Sequence, residues 1–378
     1  RFESLNMLKA AVAAGIKLHV IVPGMILPAS VAAHQAALPG TPLESIARRT
    51  GWRSNASLTP FIFASRPLTS DLRARIGRLH AADPFTAVLA VSFRVVVLGT
   101  TLAGDLGIPL IVRPHNVESE YFSQLAASSV FPRNIPYRAE AWKLRRAERA
   151  IHQSPGINLF ADIGERDAQW RAGKTTTRVI HVPPFIDLPP NAERPAPGGV
   201  GRTVFFLGAL DNSNNVDGIR WFVESCWPEL RRQVPDLDLH VVGRRAPTAL
   251  VNELHAAGVR VTVDAPEVGS LLAAADIFIN PVRRGAGVNI KMIEAMSAAL
   301  PVVSTTTGAR GMSWRDGEQL LVADTPVEFS AAVRKLLDDA DERARLGAAG
   351  RRFVAAELDG VRQINRMRAT LQPGPPAW

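Results

Sequence analysis

Lys291 and Glu294 stand three residues apart, directly behind a loop that reads Arg283, Arg284, Gly285, Ala286, Gly287 and Val288. That spacing places both side chains on one face of a helix. A lysine at a helix start, preceded by glycine amides, can hold a diphosphate, and a glutamate one turn further in can accept hydrogen bonds from the hydroxyls of a ribose or a sugar. The same pair on an exposed helix would be ordinary, contributing about 0.2–0.5 kcal/mol. The setting decides between these readings. Residues 277–312 read as strand, loop, helix and strand, and the carboxyl edge of a parallel sheet is where such folds bind ligands.

A second group is RPHNVESEY at 113–121, after an apolar strand at 109–112. His115 is placed there to act as an acid, a base or a donor, or as a plain hydrogen-bonding loop residue, and Asn116 is a candidate N-cap of the next helix. Gly208 opens GALDNSNN after a strand at 203–207, and Gly243 with Arg244 follows a strand at 237–242. Each offers close backbone approach to a ligand, with Arg244 reaching a base or phosphate, or else a simple polar turn. The stretch EAWKLRRAERAIH at 140–152 is a basic amphipathic helix, suited to an anionic lipid surface or to solvent.

The elements that must position these groups alternate. Strands are predicted at 17–23, 60–64, 87–91, 109–112 and 157–161, with helices at 2–14, 70–81 and 117–127. A segment rich in proline and glycine, PPFIDLPPNAERPAPGGVG at 183–201, reads as a linker. Beyond it strands at 203–207, 237–242 and 260–263 alternate with helices at 217–233, 247–257 and 268–274, followed by 277–312. Helices at 326–338, 340–356 and 360–371 close the chain before a PGPPAW tail. This is the pattern of two α/β domains, each a doubly wound parallel sheet. The division expected is 1–184, a linker at 185–201, 202–356, and a closing segment at 357–378. An α/β domain normally opens on a strand, so a first βα unit is expected to be missing ahead of Arg1.

Composition narrows the partners. In 378 residues, 44 Lys and Arg against 35 Asp and Glu leave a formal charge of +9, which favours an anionic partner without naming it. Cys226 is the single cysteine, which excludes an internal disulfide and a thiolate-built zinc site. The longest apolar run, 87–112, is cut by Arg94 and Asp105, short of the roughly 18–20 uncharged residues a spanning helix needs. The seven Trp and two Tyr do not interleave with basic clusters, so nucleic acid is not an expected partner. No P-loop, Cys/His metal spacing or G-x-S-x-G elbow occurs.

With these residues in view, the chain resembles the retaining glycosyltransferases of family four, the "group one" family of GT-B architecture. The match is carried by PVRRGAGVNIKMIEAMSAALPVVST, and further by FLGALDNSNNVDGIRWF, LHVVGRRAP and the HNVE of His115 to Glu118. The resemblance implies two Rossmann-like domains facing across a cleft, the first on the acceptor side, the second holding the nucleotide sugar, and the last helix crossing back to the first. It implies that Glu294 holds the donor's ribose, that Lys291 and the amides around Gly287 and Val288 hold its diphosphate, and that His115 faces the transferred sugar. Gly208, Gly243, Arg244, Val268, Arg283, Arg284, Gly285 and Ala286 complete the implied donor site, with His115, Lys291 and Glu294 as the catalytic set.

Three positions depart from the family's pattern. Ala286 stands where the first glutamate of a Glu-x7-Glu pair would be, as in a GAG-type donor-loop subgroup. GALDNSNN lacks the usual Arg and Lys, leaving Arg283, Arg284 or Arg220 as substitutes, and Pro183, Pro184 and Phe185 replace a Pro-Asn-Gly hinge.

The expected activity is transfer of a sugar from a nucleoside diphosphate sugar to a hydroxyl on a glycan, lipid-linked glycan or small molecule, in polysaccharide, glycolipid or other glycoconjugate biosynthesis. Retention at the anomeric carbon is expected, with no metal and no cofactor. A cytoplasmic location is expected, with peripheral contact at the inner face of the membrane as an option. Two other readings stand beside it: a nucleotide-sugar epimerase or phosphorylase on the same scaffold, and a non-catalytic sugar-nucleotide-binding assembly subunit.

Overall fold

The computed structural model describes residues 2–23, 28–46, 58–132, 134–186, 202–285 and 288–371. Most of the linker stretch, the closing tail, Ala286 and Gly287 lie outside the described residues. The chain divides into two compact units, Arg1–Ile186 with Gly360–Trp378, and Asp187–Asp359.

The first unit carries β1 (Val20–Pro23) paired with β2 (Leu43–Ile46), and a four-stranded sheet of β3 (Val88–Val91), β4 (Leu110–Arg113), β5 (Leu159–Asp162) and β6 (Arg178–His181) in that order. Every pairing is parallel. β4 and β5 are buried at all four positions, as strands covered by helices on both faces must be. The helix Gly360–Leu371 packs on the opening helix Phe2–Ala13, so Ile364 and Met367 share a core with Met7, Ala11, Ile111 and Leu159. Gly360 permits that approach, since a Cβ there would meet Ala10 Cβ at 2.6 Å.

The second unit is one parallel sheet of β7 (Thr203–Ala209), β8 (Asp238–Arg244), β9 (Arg260–Val263), β10 (Ile277–Asn280), β11 (Val302–Ser304) and β12 (Leu321–Val322). Its order is β12-β11-β10-β7-β8-β9. Phe206, Phe222, Trp227 and Phe329 anchor the core on one face of this sheet. The helix Ala340–Glu357 supports Ile290–Ser297 from behind. Gly347 is required there, because a Cβ would collide with the carbonyl oxygen of Ala299.

Three local expectations are corrected. Residues 60–64, expected as a strand, form the short helix Phe61–Ala64 with Ile62 and Phe63 buried. A five-residue apolar run does not separate the two by periodicity, and here Glu140 receives the Ile62 amide at 3.4 Å in place of a neighbouring strand. The single helix expected at 217–233 is two, Ser213–Ser225 and Trp227–Gln233. Asn212 caps the first by accepting from Asn214 N at 2.9 Å. Pro228 lies in the first turn of the second, the position where a missing N–H costs nothing. Asn116 is not an N-cap: Glu118–Ser128 is preceded by Val117 without a side-chain cap.

Candidate functional site

In the second unit the connections leave β7 and β10 in opposite directions, so a crevice opens outside the carboxyl ends of these neighbours. Two segments meet at that edge: residues 210–218, the turn after β7 and the start of the helix that follows it, and residues 281–285 with 288–291, from the loop after β10 into the start of its helix. Their contact is close. A Cβ on Gly218, in the helix Ser213–Ser225, would come within 2.6 Å of the Pro281 carbonyl oxygen.

Lys291 is drawn into this contact. Its Nζ donates to Asn215 Oδ1 at 2.8 Å and lies 4.6 Å from the centre of the Phe206 ring. Burial pulls its pKa down from the ordinary lysine value to about 7, and no acidic group among the described residues offsets that effect. Lys291 belongs to the first turn of Ile290–Ser297, whose N-cap Asn289 makes no side-chain cap bond. Asn289 instead donates to the Gly308 carbonyl at 2.7 Å. The first-turn amides therefore lack a side-chain partner from the cap, and the partial positive charge of the helix start adds to that of the ammonium.

Glu294 follows one turn later on the same helix. Burial raises its pKa, offset in part by the charge of Arg244. No described residue donates a hydrogen bond to its carboxylate. Arg244 is exposed at the end of β8, where the chain turns through Arg245 at φ 55°. Arg245 is fixed by Asp211, 2.6 Å from its Nε, and by its own amide donating to Asp264 Oδ1 at 3.1 Å. Gly243 and Gly208 are both needed for close packing. A Cβ on Gly243 would collide with the Gly208 carbonyl oxygen and meet Leu210 Cγ at 2.6 Å, and one on Gly208 would meet Asn215 Nδ2 at 2.9 Å.

The remaining candidates are placed as follows. Arg283 donates to both Asp217 oxygens at 3.1 Å with its guanidinium 5.5 Å from the Trp221 ring centre, and Arg284 approaches Asp217 at 4.0 Å. Both stand beside the crevice with their charge shared by one carboxylate. Arg220 is committed to Glu253, at 2.7 Å. Gly285 holds φ 136° beside Asn214, and Val288 packs under Gly311, where a Cβ would reach its nitrogen at 3.2 Å. Val268 precedes the short helix Gly269–Ala273, whose first amides are taken by the Glu267 carboxylate.

His115 belongs to the first unit, half-buried beyond the end of β4. At the end of the neighbouring strand β3, Arg94 Nε donates to the buried Glu118 at 3.1 Å, and Ser92 holds φ 98°. Arg113, two residues before His115, points inward. Its guanidinium donates to the carbonyls of Val182 at 2.8 Å and Pro183 at 2.9 Å and stacks 4.8 Å from the Phe185 ring centre.

Spacing within one helix brought out Lys291 and Glu294, but not Asn215, Phe206 or Asp217. These come from elements more than 60 residues earlier in the chain and meet the loop only through the strand order. One sequence signal points to Asn215: GALDNSNN offers backbone amides to a ligand, whereas its last side chain makes the contact.

Known proteins resemble this chain in sequence and in fold. The profile of the family described as Glycosyl transferases group 1 matches residues 201–339. A GDP-mannose-dependent alpha-(1-6)-phosphatidylinositol monomannoside mannosyltransferase of Mycobacterium tuberculosis is 32% identical over 324 residues, 73% of this chain and 83% of that protein. An uncharacterized 44.6 kDa protein in the cps region of Klebsiella pneumoniae is 29% identical over 281 residues, 70% of this chain and 68% of that one. Among solved structures, Anabaena HepE in complex with UDP and glucose superposes with a TM-score of 0.67 at 15% identity, covering 98% of this chain and 96% of its own. WaaG, a glycosyltransferase involved in lipopolysaccharide biosynthesis, gives 0.60 at 17% identity, covering 99% and 97%. At these identities the structures speak for the fold, two Rossmann-like domains.

Proposed function

The chain belongs to the glycosyl transferases group 1 family and is a nucleotide-sugar glycosyltransferase of glycoconjugate biosynthesis, and from that premise we propose that it transfers a hexose with retention, without a metal, using Lys291 and Glu294 to hold the donor. The observation that carries this reading is an ammonium held at the strand-order reversal with no anionic partner among the described residues, and one turn behind it a carboxylate to which no described residue donates. A diphosphate supplies the missing anion, and a ribose diol supplies donors for the carboxylate.

In the reaction the bond from the anomeric carbon to the diphosphate oxygen breaks, and a bond to the acceptor oxygen forms on the same face. The acceptor's proton passes to the departing phosphate oxygen. Charge grows on the diphosphate as this happens, so Lys291 and the helix-start amides stabilise the transition state more than the ground state. His115, in the first unit, is retained as the candidate sugar-facing group.

Because relatives are named for GDP-mannose and a structural neighbour was solved with UDP, GDP-mannose and UDP-glucose are the donors to test first. The test of the site is a thermodynamic cycle with GDP and its 2′,3′-dideoxy analogue. Removing the hydroxyls should weaken binding about 10- to 100-fold in the wild type, the scale of one or two hydrogen bonds to a charged group, and should have little effect in Glu294→Ala. An unchanged hydroxyl effect in the variant would remove Glu294 from the ribose.

The acceptor side of the proposal is a lipid-linked or membrane-bound glycan. The helix Asn134–His152 turns Glu140 and Glu148 inward, to Ile62 and Ser119, and leaves Arg138, Arg145 and Arg149 in solvent with Ile135 and Trp142. Phe131, 78% exposed, extends this surface. Apolar anchors among cations favour an anionic bilayer. Cosedimentation with phosphatidylglycerol-containing vesicles should exceed that with phosphatidylcholine vesicles, and Phe131→Ser with Trp142→Ser should lower it by about tenfold. Equal retention on both vesicle types would refute this contact.

A further inference from the structure

Asn215 joins the two segments at the crevice, and nothing above gives it a task. Its two ends are both engaged. Oδ1 accepts from Lys291 Nζ at 2.8 Å, while Nδ2 donates to the Ala209 carbonyl at 2.9 Å. That second bond fixes the amide orientation, since an exchanged Oδ1 and Nδ2 would set donor against donor and acceptor against acceptor. The space for it is made by Gly208, where a Cβ would stand 2.9 Å from Asn215 Nδ2 and 3.0 Å from its Cγ. Phe206, two residues before that glycine, supplies the ring on which the ammonium rests at 4.6 Å.

We infer that Asn215 is a positioning residue for donor binding: with Gly208 and Phe206 it holds the Lys291 ammonium at the crevice before the nucleoside diphosphate arrives. This rests on the donor-site role proposed for Lys291. The physical reason is the geometry of the ammonium. It has three N–H donors and a flexible four-carbon stem. One donor is taken by Asn215 and the cation is held over an aromatic face, which leaves the rest of its hydrogen-bonding capacity for phosphate oxygens. A lysine already fixed loses less rotamer freedom on binding. The turn after β7 has no Arg or Lys of its own, so the cation that Asn215 helps to place comes from the other segment. The bond also favours the charged form of a lysine that burial otherwise pushes toward neutrality.

The test uses binding of UDP and of GDP to the full chain by calorimetry from pH 6 to pH 9. Asn215→Ala should weaken binding about tenfold at pH 7, the size of one lost hydrogen bond with its ordering effect, and should move the alkaline limb of the affinity profile to lower pH. Asn215→Asp should move the same limb to higher pH, because a carboxylate 2.8 Å from the ammonium raises its pKa. Gly208→Ala displaces the amide without altering it and should reproduce the Asn215→Ala profile, with little further loss when the two are combined. A merely structural role would lower affinity evenly at all pH values and leave the limb in place, and that outcome overturns the inference. Wild-type affinity and profile in Asn215→Ala would overturn it too, leaving the Lys291 reading intact. Failure of the wild type to bind either nucleotide would take down that reading and this one together.

Discussion

Lys291→Met is expected to lose roughly 30- to 150-fold in nucleoside diphosphate affinity at pH 7, the equivalent of 2–3 kcal/mol for a charge-assisted contact, and yet to melt at a higher temperature when unliganded. The two effects have one cause. The ammonium is held where burial lowers its pKa to about 7, whereas in the unfolded chain it would be near 10.4. A folded pKa below the unfolded one means that the charged form is disfavoured by folding. The destabilisation is therefore fully present below pH 7 and fades as pH rises toward 10. Methionine removes it, at the expense of the Asn215 bond and the contact with Phe206. A net gain of about 1–2 kcal/mol, or roughly 2–8 °C in the melting of the second unit, should appear at pH 6 and disappear by pH 10.

Ligand binding has the opposite sign. A diphosphate needs the protonated lysine, so wild-type affinity should fall as pH rises through 7, and Lys291→Arg should flatten that limb. Were Lys291→Met less stable than wild type at pH 6 and equal to it in nucleotide affinity, the lysine would be a structural residue.

Arg113→Met is the second large effect, and it falls on the first unit. Arg113 is wholly buried and its guanidinium serves the carbonyls of Val182 and Pro183 and lies over Phe185. It also lowers the pKa of the buried Asp162, whose first influence is burial raising it. Methionine fills the stem's volume but leaves carbonyl oxygens without donors and takes a positive charge away from a buried carboxylate. Asp162 keeps its ion pair with Arg171, but buried acceptors left without donors cost about 1–3 kcal/mol each, and calorimetry should show the transition containing the first unit several degrees lower. Arg113→Lys should recover little, because an ammonium cannot span the same carbonyls in a planar fork. An unshifted transition in Arg113→Met would contradict the assignment of this residue as the clamp on the segment that follows β6.

These two residues also mark what was legible in the sequence. Strands such as LIVR, LFAD and IFIN are apolar but for their last residue and buried at every position, so the doubly wound class was readable from composition and length. β6, with an exposed first residue and partly buried others, and the two-residue β12 carry no such signal. Lys291 with Glu294 could be read because three residues of one helix suffice to place them together. Arg113 read as part of a polar loop, yet it is the last residue of a strand and turns into the core. Asn215 depends on which strands are neighbours. That order, with β7 beside β10, is set by crossover connections and by the packing of Trp221 and Phe329 beneath them, not by any local pattern.

Nucleotide release tests the central claim most directly. With GDP-mannose and with UDP-glucose, in the presence of membranes carrying acceptor glycans, the wild type should release GDP or UDP and form a glycoside with the donor's anomeric configuration. Lys291→Ala and Glu294→Ala should each reduce that release by at least about 30-fold. Release that persists in both variants, or conversion of the sugar with its nucleotide still attached, would contradict the assignment of Lys291 and Glu294 to a transferred donor.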